Sequence, residues 1–139
     1  MPSIRHPDGT EISPHLRLRE RFQLYAGVRP VKAYPHIPQK LADPRAASID
    51  FIVIRESTEG LFHTAAVHNR SHIVPDIAVE ETMRITRKTT EKLHRFAFNF
   101  ARKRQSAGKA SRVTCVDRAN VFTAMAFFRK IFDEVSAHY

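Results

Sequence analysis

Four arginines stand where a guanidinium could do chemistry. Arg55 closes the stretch "IDFIVIRES" (49–57), whose centre, Phe51 to Ile54, is continuously apolar and largely β-branched. Such a run predicts a strand buried on both faces. An unpaired charge cannot stay inside it, because desolvation costs several kcal/mol. Arg55 is therefore expected to emerge at the strand's carboxyl end, where open α/β sheets bind ligands. Arg19 lies on a predicted helix, and Arg29 begins another predicted strand ten residues later. Arg118 sits in "VTCVDRANVF" (113–122), between an apolar strand-like run and a helical one. Guanidinium groups fork onto carboxylates and phosphates, and with a pKa above about 12 they do not serve as bases. The competing reading of Arg55 is a local ion pair with Glu56 or Glu59, and the residues alone leave both open.

Other chemistries find little support. The eight histidines show no H-E-x-x-H spacing, and there is one cysteine, so no metal site is expected. Neither a phosphate-binding glycine loop nor G-x-S-x-G occurs. Cys115 cannot form an internal disulfide, which fits a reducing compartment, and in mid-strand it should pack as a small hydrophobe.

The net charge of +9 and a pI near 10.3 imply anionic partners without choosing among them. The basic run "RITRKTTEKLHRFAFNFARKR" (84–104) could be a nucleic-acid helix. Its charges fall on the exposed face of an amphipathic helix, and its aromatics fall on the buried stripe, so a solvated face is the preferred reading. No apolar run approaches the roughly 20 residues of a membrane span. The start has no apolar core of a secretory signal, so a cytoplasmic location and no membrane partner are expected.

These residues need elements to position them. Residues 1–14 read as a loop with a turn at Asp8-Gly9. Leu16, Leu18, Phe22 and Tyr25 have helical spacing, stopped by Gly27. "VRPVKAY" (28–34) reads as an edge strand, since Pro30 removes a ladder donor. A proline-punctuated loop (35–48) leads to the Arg55 strand. Two short apolar runs around His68-Asn69-Arg70-Ser71 predict a projecting β-hairpin arm at about 59–76. From Thr86, a potential cap, to Arg104 the residues Leu93, Phe96, Ala97, Phe100 and Ala101 form one helical face. "RVTCV" (112–116) predicts a further strand. The last helix, about 119–136, should bury Val121, Met125, Phe128, Ile131, Phe132 and Val135. The aromatic helices and the arm offer more apolar surface than one small sheet covers, which predicts self-association. The chain stops directly after this helix, and it is expected to be part of something larger.

The blocks "LRLRERFQLYAGVRPVKAYP", "IDFIVIRESTEG", "ITRKTTEKLHRFAFNFARKR" and "VTCVDRANV" occur in this order. Together they resemble the isocitrate/3-isopropylmalate dehydrogenase family, the metal- and NAD(P)-dependent β-decarboxylating dehydrogenases. The resemblance runs from about Ser13 to Tyr139. It implies an α/β fold: the small substrate and dimerisation domain, with a projecting hairpin arm and two long packed helices. Residues 1–28 would end the large-domain part, and residues 29–139 would form an incomplete small domain.

By the same resemblance, Arg19, Arg29 and Arg55 match the three arginines that hold the substrate carboxylates. Ser13 and His15 fall where members recognise the variable substituent. Asn120 and Val121 match residues that reach across a homodimer toward the partner's substrate and nicotinamide. Two catalytic positions depart from the family pattern. Phe62 stands where members have a tyrosine that protonates the enol, and Arg118 where they have a lysine that takes the hydroxyl proton. Phenylalanine has no proton to give; His63, beside it, is a weaker substitute, because the next residue on a strand points to the opposite face. The resemblance implies NAD or NADP with Mg²⁺ or Mn²⁺ for a full family enzyme. No cofactor is expected on this chain alone, whose ligand would be a small dicarboxylate. The rival readings are a non-catalytic oligomerisation module and, less favoured, a nucleic-acid-binding domain.

Overall fold

Where a loop is expected at the amino end, two short strands pair instead. They are β1 (Ile4–Arg5) and β2 (Glu11–Ile12), antiparallel, with Gly9 at φ +84° supplying the turn. The computed structural model describes every residue except 1–3, 10, 13, 39 and 68–70. Helix α1 (Pro14–Phe22) follows, opened by a proline whose missing N–H is harmless in a first turn. It ends before Tyr25, because Gln23 takes a left-handed φ of 49° and the Leu24 N–H turns back to the Arg19 carbonyl at 3.0 Å.

Strands β3 (Gly27–Lys32) and β4 (Asp50–Arg55) form an antiparallel pair with Gly27 opposite Arg55 and Lys32 opposite Asp50. Gly27 is needed there, since a Cβ would stand 3.3 Å from the Arg55 carbonyl oxygen. Between the strands, Asp43 caps a short 3₁₀ turn (Pro44–Ser48) by accepting from the Arg45 N–H. The expectation that β4 is buried on both faces is corrected. Its residues alternate, with Ile52 and Ile54 turned inward and Phe51, Val53 and Arg55 outward and exposed. The sheet has two strands, and nothing among the described residues covers its outer face.

The arm expected at 59–76 is also corrected. Residues Phe62–Val67 form helix α2, and the hairpin lies later, as β5 (His72–Val74) paired with β6 (Ala78–Glu80). The short apolar run that suggested a strand is rich in alanine, the best helix former. Its buried Thr64 fixes it in place: Oγ1 donates to the Thr82 carbonyl at 2.7 Å and accepts from the Thr82 N–H at 3.0 Å.

Helix α3 (Arg87–Ser106) packs against α4 (Thr123–Ser136), and their contact holds most of the buried apolar side chains. Leu93, Ile131 and Val135 are buried there, Ile131 completely. The rings of Phe128 and Phe132 flank His94. Thr86 caps α3 as expected. Arg104, expected only to complement the helix dipole, bridges to Asp50 at 3.0 Å and so ties α3 to the start of β4.

Two expectations about the last third are corrected. Residues 112–116 show alternating burial but form no strand, because no neighbour among the described residues pairs with their backbone. Helix α4 begins at Thr123 rather than 119, and Val121 is exposed in the turn before it instead of buried. No helix among the described residues is long and apolar enough to cross a membrane.

Candidate functional site

The register of the small sheet places Arg29 and Arg55 on one surface. Arg29 lies opposite Val53, and Val53 and Arg55 are two residues apart on the same strand. Both arginines therefore project from the outer face as diagonal neighbours, a relationship that sets Cβ atoms about 7–8 Å apart. Both are exposed. Arg19 lies in the last turn of α1, whose chain runs through residues 23–26 into Gly27, the partner of Arg55. Helix α2 packs against α1 and brings Phe62 to the same end, where the Arg55 guanidinium lies over its ring at 5.2 Å. A cation above an aromatic face is held by the ring's quadrupole.

The local ion pair considered for Arg55 is not formed, because its glutamate neighbours bond elsewhere. The Glu56 carboxylate accepts from the Thr58 N–H, the Thr58 hydroxyl and the Glu59 N–H. Glu59 reaches the start of α3, where it accepts from the Thr86 N–H at 2.8 Å, the Thr86 hydroxyl at 2.6 Å and the Thr89 hydroxyl at 2.8 Å. Both acids are occupied elsewhere. Among the described residues, no carboxylate lies within ion-pair distance of Arg19, Arg29 or Arg55, whereas Arg45, Arg87, Arg104 and Arg129 are all paired. Cations left unpaired on one face are available to an anionic ligand. The spacing of residues in the sequence did not reveal the part Glu59 plays, because its partners lie about 30 positions downstream.

His15 is exposed on α1, and Ser13 lies outside the described residues. The sequence argument that weakens His63, a strand's alternation between faces, does not apply, because Phe62 and His63 both open a helix. Successive residues there are turned about 100° from one another.

Arg118 occupies a different setting. The preceding Asp117 is held tightly: it accepts from the Ala119 N–H at 2.8 Å and the Arg129 Nε–H at 2.6 Å, while the Cys115 thiol lies 3.4 Å away. The Ala119 backbone bond, helped by Arg129, keeps its carboxyl below the usual aspartate range. The Arg118 carbonyl accepts from the Val121 and Phe122 N–H groups at 3.0 Å each. This closed turn leaves the Arg118, Asn120 and Val121 side chains exposed at its tip.

Cys115 is partly buried, and burial, with the Asp117 carboxylate beside it, pushes its thiol up to about 11. Only the thiolate reacts with electrophiles, and an ordinary cysteine titrates near 8.5. Alkylation by iodoacetamide at pH 7.5 is accordingly expected to run roughly 100-fold slower than on an unperturbed thiol. A rate equal to that of a free peptide cysteine would contradict this environment. Among the described residues, no three of His, Cys, Asp and Glu gather as metal ligands do, so no metal-dependent step follows from the side chains present.

The sequence matches the family model described as isocitrate/isopropylmalate dehydrogenase over residues 2–139. It is 38% identical over 125 residues to 3-isopropylmalate/3-methylmalate dehydrogenase of Methanocaldococcus jannaschii, covering 89% of this chain and 34% of that protein. It is 30% identical to tartrate dehydrogenase/decarboxylase of Pseudomonas putida, covering 89% of this chain and 33% of that one. The structure superimposes on the crystal structure of isocitrate dehydrogenase from Methylococcus capsulatus with a TM-score of 0.77 at 29% identity, over 99% of this chain and 38% of the other. The chain thus spans about a third of the length of the curated relatives it matches. By its sequence along nearly its whole length, and by a mixed helix-and-strand fold, the chain belongs to the isocitrate/isopropylmalate dehydrogenase family.

Proposed function

We propose that this chain is the substrate-carboxylate and dimer-forming portion of an NAD(P)-dependent 2-hydroxy-diacid dehydrogenase, and that it does not turn over alone. The observation that carries the reading is the placement of Arg29 and Arg55 on one sheet face without a carboxylate partner among the described residues, with Arg19 in the last turn of the helix that leads into β3. A diacid offers two carboxylates, and each can take a charge-assisted fork from a guanidinium. Phe62 holds Arg55 by its ring face and excludes water on that side.

What these residues can do is bind and orient. Phe62 has no acidic proton, and Arg118 keeps its own at any physiological pH. A positioned acid or base typically contributes about 10²–10⁴-fold to a rate. With both positions substituted, the β-decarboxylation of the family would be slow here even beside a nucleotide and a metal. Asn120 and Val121, exposed at the α4 turn, suit contact with a second subunit. So do the bare apolar residues of the second hairpin, among which Ile77 is 83% exposed. The same two substitutions favour, as a second reading, a module whose remaining work is self-association.

Titration of the purified chain with malate, tartrate and isopropylmalate, followed by the arginine Nε–H resonances, tests the proposal. Diacids are expected to bind at least tenfold more tightly than lactate, and Arg55→Gln should remove that preference while the chain stays folded. Equal binding of lactate and malate, or no effect of Arg55→Gln, would overturn it. Reduction of NAD or NADP by the chain alone would overturn the claim that it needs the rest of an enzyme. A clean monomer at micromolar concentration in sedimentation would remove the dimer from the proposal.

A further inference from the structure

His94 is an ionisable side chain set in the contact between α3 and α4, beside Leu93. It is only 4% exposed, and its ring meets Phe128 and Phe132 of α4 with centroids 4.6 and 5.3 Å away. Its Nε2 is closed to solvent and has no hydrogen-bond partner among the described residues. A neutral imidazole can occupy such a place at modest cost. A protonated one carries an N–H on both nitrogens and a whole charge, and burying an unpaired charge costs far more than burying an unpaired neutral group.

No acid is placed to offset that charge. From α4 the ring is faced by the two phenylalanines, while Glu134 pairs with Arg87 at 2.6 Å, Arg129 is turned to Asp117, and Lys130 and Asp133 are exposed. On α3, one turn back, Glu91 is held by the same Arg87 at 3.0 Å. The remaining side is a partly open cavity of about 620 Å³ bounded by α3, α4, the inner face of β4 and residues 110–116. The ionisable groups in its lining, besides His94, are Asp50, Arg104, Arg112 and Cys115. Asp50 is bound by Arg104 at 3.0 Å and by Lys109 at 2.8 Å, and the Cys115 thiol keeps its proton. The lining therefore offers two guanidiniums and no free carboxylate.

We propose that the α3–α4 contact is an acid-sensitive latch: when His94 takes up a second ring proton the two helices part, and the apolar wall beside them, with Ala97, Phe100 and Val113, opens to water. The direction follows from where the proton is welcome. Burial holds the folded ring below the ordinary histidine range. The opened chain, with its ring in water, takes the proton first as pH falls below about 6.5. Stability that is fully present above that pH is lost progressively below it, by at most about tenfold in the unfolding constant per pH unit for one proton. The contact holds most of the buried apolar side chains, so what weakens it weakens the molecule.

Urea unfolding of the whole chain at pH 7.5 and pH 5.0, followed by circular dichroism, tests the latch. The unfolding constant of the wild-type chain is expected to rise at least about fivefold between the two, below the ceiling of about 30-fold that one histidine proton allows. Nile red, an uncharged dye that brightens on apolar surface, should bind more at pH 5.0. His94→Leu should hold the unfolding constant within about twofold across the same interval and bind no more dye at the lower pH. If that variant does not fold, His94→Gln, polar but never charged, takes its place. Nitrogen-15 histidine spectra of the wild-type chain add a readout that needs no substitution: the His94 ring should stay neutral for as long as the amides of α3 and α4 keep their positions. A smaller rise in the wild-type chain would overturn the proposal, as would an equal rise in the variant. So would a His94 ring that becomes charged while those amides stay still. The latch makes no use of the arginine face, so it stands or falls apart from the diacid reading.

Discussion

Ile131→Ala is expected to lower the unfolding free energy by about 2–5 kcal/mol, the range for deleting a fully buried aliphatic branch and leaving a cavity. Ile131 has no exposed surface and lies in α4 where it meets α3. The effect should be unusually visible here. Among the described residues the buried apolar set is short, consisting of Ala46, Leu93, Ile131 and Val135. Domains of ordinary size retain only about 5–15 kcal/mol in total, and a chain with so few buried side chains belongs near the bottom of that range. Urea denaturation followed by helical circular dichroism should show a transition moved to much lower urea. Ile131→Val, which removes one methyl, should cost only about 0.5–1.5 kcal/mol. A loss below about 1 kcal/mol for the alanine variant would mean that the α3–α4 contact does not hold the molecule together.

Glu59→Ala carries the second large effect, expected at about 2–4 kcal/mol from the loss of charge-assisted hydrogen bonds and of a negative charge at a helix start. Its carboxylate takes three donors at the beginning of α3, two from Thr86 and one from Thr89. Thr86 is itself the cap, accepting from the Thr89 N–H. Removing the acid leaves those donors without partners and loosens the cap that depends on them. Glu59→Gln keeps the shape but not the charge, and should fall between wild type and alanine. Hydrogen exchange should localise the change, with amides 86–91 exchanging faster and those in α4 little altered. Uniform acceleration along the whole chain would show instead that Glu59 acts on global stability and not on the cap.

The strand of Arg55, its pairing neighbour with Arg29 and the long helix capped by Thr86 were all legible in the sequence. Each is announced by a local pattern: a β-branched run, alternation beside a proline, and a helical apolar face behind a threonine. The α2 helix was not legible as one, because six residues are too few to establish a period and a tertiary bond between Thr64 and Thr82 decides the outcome. Residues 112–116 have a strand's composition, but a strand is defined by a neighbour, and none pairs with them here. For the site, the three arginine positions could be read from sequence, while their freedom could not. That freedom depends on Glu56 and Glu59 turning to Thr58, Thr86 and Thr89. That His94 is buried, with no partner for its Nε2 among the described residues, likewise emerges only from packing, since its spacing places it among ordinary residues of an amphipathic helix.

Among the described residues no further strand pairs with either outer margin of the two-stranded sheet of β3 and β4, and its outer apolar residues are exposed. Such margins are templates for further chains to add on. An excess of nine positive charges opposes such contact by mutual repulsion at low ionic strength. Salt shortens the reach of that repulsion to about 8 Å at physiological ionic strength. Contact between such margins is thus expected to depend on the electrolyte, opposed at low salt and favoured as salt is added.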